Sequence, residues 1–425
     1  MKAIIIGGGW SGCAAAITAK KAGADVTIYE KTDLLLGLGN VGGIMRNNGR
    51  YTATEELINL GAGELFNITD SNTKHKNMHF PHHDHAWLYD VGKIEPAVRK
   101  LLNTLGIHIE LESRIINVEK TSKQINSIKL SGGDFASGDV FIDATGSTGG
   151  MNNCLKYGNG CVMCILRCPT FGGRVSISAM AGVEDLKVER SNGSIGAISG
   201  SCEIPKDSLS DEIICELNEK GVVILEIPKK DINLSKLEMK VCQQYAYKEF
   251  AENVILLDTG HIKLMTPYYP IEKLRQIPGL ERVRFMDPYS GGRGNSIRYL
   301  AAAPRSNEMK VNGLNNLFCA GEKSGFFVGH TEAISTGSLA GHNCVRSFLK
   351  MPLLKLPDTL VTGDIISYAN NRLTTNEGKQ VMLSFSGSEY FERMKQLGLY
   401  SFDDKELKTR VENSGLKNVY NNKLI

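Results

Sequence analysis

Apolar residues open the chain as a continuous run, Lys2-Ala-Ile-Ile-Ile, which breaks at Gly7-Gly8-Gly9 and passes into Trp-Ser-Gly12-Cys-Ala-Ala-Ala. An apolar run bounded by glycine predicts a buried strand, and the small-residue stretch after it a closely packed helix. Asp25-Val-Thr-Ile-Tyr-Glu30 predicts the next strand. A Gly-rich loop (Gly37-Leu-Gly-Asn-Val-Gly-Gly43) and a helix complete residues 1–65. Residues 66–90 are polar and His-rich, and predict an irregular segment. Val98, Leu101, Leu102 and Leu105 recur at helical spacing within 92–106. Ile107-His-Ile-Glu-Leu-Glu alternates like a strand, and strands follow at 115–119 and 125–130. Val140-Phe-Ile-Asp143-Ala-Thr-Gly146 predicts a crossover strand that ends in a glycine turn.

The pattern changes over 151–285. Cysteines cluster, Val175-Ser-Ile-Ser-Ala-Met suggests a small-residue strand, and 208–220 and 234–252 look helical. Near the C-terminal end, Leu317-Phe-Cys-Ala-Gly321-Glu322 is again a short apolar strand closed by glycine and an acid. A helix is predicted from about Thr331 to Phe348, and a charged, mostly helical tail over 351–425.

The glycines carry chemistry. Gly7, Gly9 and Gly12, followed by Glu30 at the end of the second strand, match the dinucleotide-binding fingerprint. In that motif the first glycine makes the tight turn, the second admits a pyrophosphate, and the third lets helix and strand approach. The helix N-terminus offers free N–H groups to phosphate, and the acid accepts from a ribose 2′-OH. A nicotinamide dehydrogenase needs only this first unit. Here a second nucleotide-side element returns with Gly321, Glu322 and the helix start Gly329-His330-Thr331-Glu332. An acid at a ribityl chain and a helix N-terminus facing a flavin pyrimidine would favour FAD, because reduced flavin carries negative charge at that edge. No second GxGxxG follows a strand, so NAD(P)H is expected only as a transient donor.

Four segments resemble the GidA-type flavoproteins that modify RNA, particularly the short form, a folate- and FAD-dependent tRNA uracil methyltransferase. They are Ile4 to Ala16, Ile277-Pro-Gly-Leu-Glu-Arg-Val-Arg, Gly313 through Gly341, and Leu356-Pro-Asp-Thr-Leu-Val-Thr-Gly-Asp-Ile-Ile-Ser-Tyr. The Asp143-Ala-Thr-Gly146 segment is similar to a broader group of FAD-dependent oxidoreductases. The resemblance implies FAD contacts at Gly7, Gly9, Gly12, Glu30, Gly321 and Glu322. It also implies an RNA uracil methyl transfer as an alternative activity, with RNA as partner.

The expected fold is α/β, a two-dinucleotide-binding-domain flavoprotein with a Rossmann-like FAD domain and an inserted α+β domain. The expected divisions are 1–150 and 286–350 for the FAD domain, 151–285 for the substrate domain and 351–425 for the tail. The 425 residues carry 49 basic and 46 acidic side chains, so no overall basic field marks a nucleic-acid binder. No run of about 18 apolar residues is present, and the N-terminus lacks the features of a signal peptide. A cytoplasmic protein is expected, with a homodimer as the commonest assembly.

Four of the ten cysteines, Cys154, Cys161, Cys164 and Cys168, fall within fifteen residues. Cys161 and Cys164 form a CxxC pair that could exchange electrons with a flavin, activated by Arg167 and Arg174. All four could instead bind an iron–sulfur cluster, which would make the chain an electron carrier. Or they are small structural residues, a few holding zinc. His75, His79, His82, His83 and His85 gather five of nine histidines and suggest either a polar loop or a substrate-binding segment. Ser290-Gly-Gly-Arg293 to Arg298 could hold an anionic group or be a solvated connector. Within Gly329-His330-Thr331, His330 stands where it could donate to a flavin or a substrate carbonyl. The expected activity is an FAD-dependent redox reaction. It delivers electrons to a small-molecule substrate, a redox partner or the cysteine pair. A flavin-binding protein without turnover is the non-enzymatic alternative.

Overall fold

Ala3, Ile5 and Val26 point to one side of their strands, and Ile4 and Ile6 to the other, so both faces need cover. The computed structural model describes residues 1–146, 175–187, 197–199, 202–238, 243–266, 269–286, 296–298 and 301–425. It begins with β1 (Lys2–Ile6), α1 (Trp10–Lys21), β2 (Asp25–Tyr29), β3 (Ile44–Met45), α2 (Gly49–Asn59) and α3 (Glu64–Ser71). Then come β4 (Thr73–Phe80), β5 (His83–Tyr89), α4 (Val91–Thr104), β6 (His108–Glu110), β7 (Ile115–Thr121), β8 (Gln124–Leu130), β9 (Phe135–Ser137) and β10 (Val140–Asp143).

The later strands are β11 (Leu186–Lys187), β12 (Ala197–Ser199), β13 (Cys202–Ile204), β14 (Val222–Glu226), β15 (Asn253–Thr259), β16 (His261–Leu264), β17 (Ser296–Arg298), β18 (Ala301–Ala302) and β19 (Leu317–Cys319). The long helix His330–Phe348 and the helices Val361–Arg372, Ser388–Gln396 and Asp404–Asn413 follow.

A parallel sheet in the order β19-β10-β1-β2-β6 forms the centre. Thus β10 and β19, far apart in sequence, complete the sheet that β1 begins, as the crossover pattern predicts. One face packs on α1 and the His330–Phe348 helix; the other is covered by the meander β7-β8-β9 through Ile115, Val118 and Ile128. This is the expected Rossmann-like α/β architecture.

A second body lies beside it. The antiparallel sheet β13-β16-β15-β14 packs one face on the helix Asp211–Lys220. Its other face meets β3-β5-β4 through Ile255, Leu257, Ile44, Phe80 and Leu88.

Several expectations are corrected. Residues 66–90 are not irregular: they finish α3 and form the hairpin β4–β5, whose register shifts break the period-2 pattern. The stretch 175–180 is not a strand. Ile177–Met180 is one helical turn, because Ser176 Oγ accepts from Ala179 N at 3.1 Å and Asp143 Oδ2 from Ile177 N at 2.9 Å. Within 234–252, the described residues hold only two single α-helical turns, Ser235–Glu238 and Glu249–Glu252, and a 3-10 turn at Gln243–Tyr245. The charged tail packs into the main core through Phe385, Tyr390 and Tyr420, all fully buried. No described helix is long and apolar enough to cross a membrane. Cys154, Cys161, Cys164, Cys168 and Arg293 lie outside the described residues.

Candidate functional site

Gly7 sits at φ +101°, and a Cβ there would lie 2.4 Å from the Ala144 carbonyl oxygen. Gly12 allows α1 to touch β1, since its Cβ would fall 1.9 Å from Gly7 O. Both glycines are therefore required by packing alone. Gly9 differs. A Cβ on Gly9 would meet nothing within 4 Å, so its bareness serves the open space in front of it. That space is a cavity of about 270 Å³, which Gly7, Gly9, Trp10 and Ser11 line. Among the described residues no side chain caps α1, so its first N–H groups remain for an anion.

Glu30 is buried at the cavity's edge. Its Oε2 accepts from Gly8 N at 2.8 Å, and its Oε1 from Thr32 N and Oγ1 at 3.0 and 3.1 Å. These bonds hold the carboxylate at the tip of β2, where a ribose would meet it.

The second nucleotide-side element closes the same cavity. Gly321 at φ +65° stands against Ser11, and its N–H donates to Thr336 Oγ1 at 2.9 Å. Gly321, Glu322, Gly329 and His330 all line the cavity, and so do Gly146 and Thr145. The His330–Phe348 helix reaches this position by packing backbone to backbone on α1. Side chains at Gly337 and Gly341 would lie 2.2 and 2.1 Å from Ser11 O and Ala15 O. Two helix N-termini thus open on one space, and the cradle bared at Gly9 fits a dinucleotide pyrophosphate.

His330 packs between Trp10, with ring centroids 5.6 Å apart, and Tyr89, whose hydroxyl lies 3.4 Å from Nδ1. Tyr89 OH donates to Gly39 O at 2.7 Å, which ties the Gly-rich loop to the same wall. Trp10 Nε1 is buried without a partner among the described residues and belongs to the cavity wall. Thr331 is buried beneath the helix start and does not line the cavity; its Oγ1 also has no partner among the described residues.

The far wall was not foreseen. Arg50, Gln244, Tyr245, Lys263 and Val328 line it. Arg50 is saturated: it donates to Glu332, Asn47 Oδ1, Gln244 Oε1, Ser384 Oγ and Val328 O. It therefore sets the shape of the wall. The signal available in sequence was thin, a basic residue inside a helix pattern and a lysine inside the apolar strand His261-Ile-Lys-Leu264.

The histidines do not converge. His75 pairs with Asp258, His79 with Asp84 and His82 with Glu249, each near 3 Å. His83 is buried between Asn47 Nδ2 and Gln244 O. No group of three or more His, Cys, Asp or Glu fit to hold a metal occurs among the described residues. Cys13, Cys319 and Cys344 are buried, and burial pushes all three thiols up, so none is a ready nucleophile.

Two solved structures of GidA from Aquifex aeolicus resemble the whole chain. One matches at TM-score 0.65 and 14% identity, covering 97% of this chain and 76% of that one. The other, from a second crystal form, matches at TM-score 0.61 and 14% identity, covering 97% and 78%. At that identity they speak for the fold. Among curated protein sequences, none matches. A family model, Glucose inhibited division protein A, matches residues 2–221 and 250–352, and the chain belongs to that family.

Proposed function

We propose that this protein is an FAD-dependent redox enzyme that delivers electrons through the cavity to a small-molecule substrate. One observation carries the reading. A single space is bounded at one side by Gly9 and Glu30 and at the other by Glu322 and His330, and among the described residues no side chain caps the helix N-terminus at either side. A mononucleotide needs only the first of these; a flavin dinucleotide uses both.

The residues divide the work. Gly7, Gly9 and Gly12 leave room for the pyrophosphate and present α1 to it. Glu30 takes the adenosine ribose hydroxyls, and Glu322 the ribityl hydroxyls. Gly329 and the start of the His330 helix face the pyrimidine edge, where N–H groups favour negative charge. His330 stands at the wall where a substrate carbonyl would sit. FAD, when bound, supplies two-electron chemistry.

Cys161 and Cys164 remain proposed electron acceptors. Gly146, on the cavity wall, supports this, because the segment that carries them follows it directly. NAD(P)H is proposed as a transient donor. RNA uracil methylation rests on family membership alone. The deciding experiment is an absorption spectrum of the purified protein, followed by anaerobic dithionite titration. Two flavin bands with equimolar FAD support the reading, and two further electrons per flavin support the cysteine step. A colourless protein that takes up no added FAD overturns it.

A further inference from the structure

The face of the β13-β16-β15-β14 sheet that meets β3-β5-β4 is built mainly of Ile255, Leu257 and Met265. Two buried residues of that face are charged. Glu203 on β13 and Lys263 on β16 are register partners, and paired residues of antiparallel strands project to one side. Their neighbours Ile204, Ile262 and Leu264 point the other way, into the core under Asp211–Lys220. Glu203 is 3% exposed and Lys263 7%. Lys263 lines the cavity, and its Nζ donates to Val41 O at 2.6 Å. Glu203 Oε1 is buried with no hydrogen-bond partner among the described residues.

A buried carboxylate oxygen without a donor disfavours the ionised form, and such groups in native proteins have a use. Burial pushes the Glu203 carboxyl up to about 7, while the Lys263 ammonium pulls the other way. Lys263 from β16 and Tyr89 from β5 both act electrostatically with Glu203. Tyr89 leads on to His330, 3.4 Å from its hydroxyl. Arg50 also acts on Tyr89, but Glu332 occupies its charge.

We propose that Glu203 is the proton store of the cavity, taking up one proton when bound flavin is reduced and releasing it on reoxidation. Two electrons and one proton leave the cofactor with one added negative charge. That charge raises the affinity of a nearby carboxylate for a proton. In turnover the C–H bond of a reduced nicotinamide donor supplies the hydride to the flavin while Glu203 takes a proton from solvent. When the hydride passes on to a substrate carbonyl carbon, Glu203 gives that proton to the carbonyl oxygen and returns to the carboxylate. Lys263, its register partner on the cavity wall, is a positioning residue whose charge links the carboxylate to the cavity. The inference rests on the reading that the cavity binds FAD.

The test needs no substrate. The FAD-loaded full chain is titrated with dithionite against a reference dye, from about pH 5.5 to pH 8.5. The wild type is expected to show a break at which the pH dependence of the midpoint potential steepens by one proton per two electrons. Glu203→Gln loses that break, Glu203→Asp keeps it at a shifted pH, and His330→Asn leaves it in place. Lys263→Met moves it to higher pH, which decides the matter if the Gln variant does not fold. A break that survives Glu203→Gln, or that Lys263→Met leaves unmoved, overturns the inference. Absence of bound flavin strikes the functional reading instead, so the two failures are distinguishable.

Discussion

Arg50 and Glu332, 282 residues apart, form a buried ion pair with Nε to Oε1 at 3.2 Å. Arg50 stands on α2, and Glu332 in the first turn of the His330 helix. Phe385 N and Ser384 Oγ also donate to Glu332, at 2.8 and 2.9 Å. The pair therefore locks three distant segments at the end of the cavity. Arg50→Met leaves the Glu332 carboxylate buried with only neutral donors. Removing one partner of such a pair costs about 3–5 kcal/mol. Arg50→Met with Glu332→Leu should cost less than the sum of the two single changes, because no lone charge is left. Urea unfolding of the three variants measures this; strict additivity would contradict it.

Gly9 and Gly12 should separate binding from folding. A side chain at Gly12 collides with Gly7 O at 1.9 Å, whereas one at Gly9 enters open space. Gly9→Ala should melt like the wild type without cofactor and bind FAD at least about tenfold more weakly, a loss of about 1.4 kcal/mol or more. Gly12→Ala should lower the melting temperature even without cofactor. Thermal melts of the apoprotein and fluorescence titration with FAD check both.

The glycine-lined side of this cavity was legible because its code is local. Gly7, Gly9, Gly12 and Glu30 lie within one β-α-β unit, where turn, helix start and acid have set spacings. The return through Gly321 and Glu322 was legible for the same reason. The hairpin β4–β5 was not. Thr73-Lys-His-Lys-Asn-Met-His-Phe80 is polar on both faces, and three register shifts erase the alternation. The turn at Ile177 was hidden because one of its anchoring acceptors, Asp143, belongs to another strand. The far wall was illegible for a stronger reason. Arg50, Gln244, Glu332 and Ser384 satisfy one another only in three dimensions, and nothing near any one of them announces the others.

Two histidines should make stability depend on pH. Burial lowers His83 from its ordinary value to about 3, although Gln244 O, which accepts from its ring, opposes the shift. Burial lowers His342 to about 4. Below an unfolded value near 6.5, the unfolded chain binds protons that the folded chain refuses. Both contributions are thus complete above about pH 6.5 and decline as pH falls toward 4. Each group sets a slope of up to about 1.4 kcal/mol per pH unit. Urea midpoints at about pH 7, 6 and 5 should fall in the wild type. In a His83→Gln, His342→Leu variant they should fall less steeply. Parallel pH profiles would show that these imidazoles are not held neutral.

Gly42 and His330 offer a final test of the cavity wall. A Cβ on Gly42 would lie 1.9 Å from His330 Cε1 and 3.0 Å from Tyr89 OH. The Gly42 backbone, at φ −76° and ψ −69°, accepts alanine without strain, so the collision is with the ring. Gly42→Ala should therefore displace His330 and cost about 1–3 kcal/mol, as overpacking does. Removing the ring first should abolish most of that cost, leaving the looser contact with Tyr89. A double-mutant cycle of Gly42→Ala with His330→Ala is expected to give a coupling of about 1 kcal/mol or more. The same four proteins, loaded with FAD, should show a perturbed flavin spectrum wherever the ring is moved or lost. A coupling near zero would mean that the imidazole does not rest on the Gly-rich loop, and the wall as drawn would be wrong.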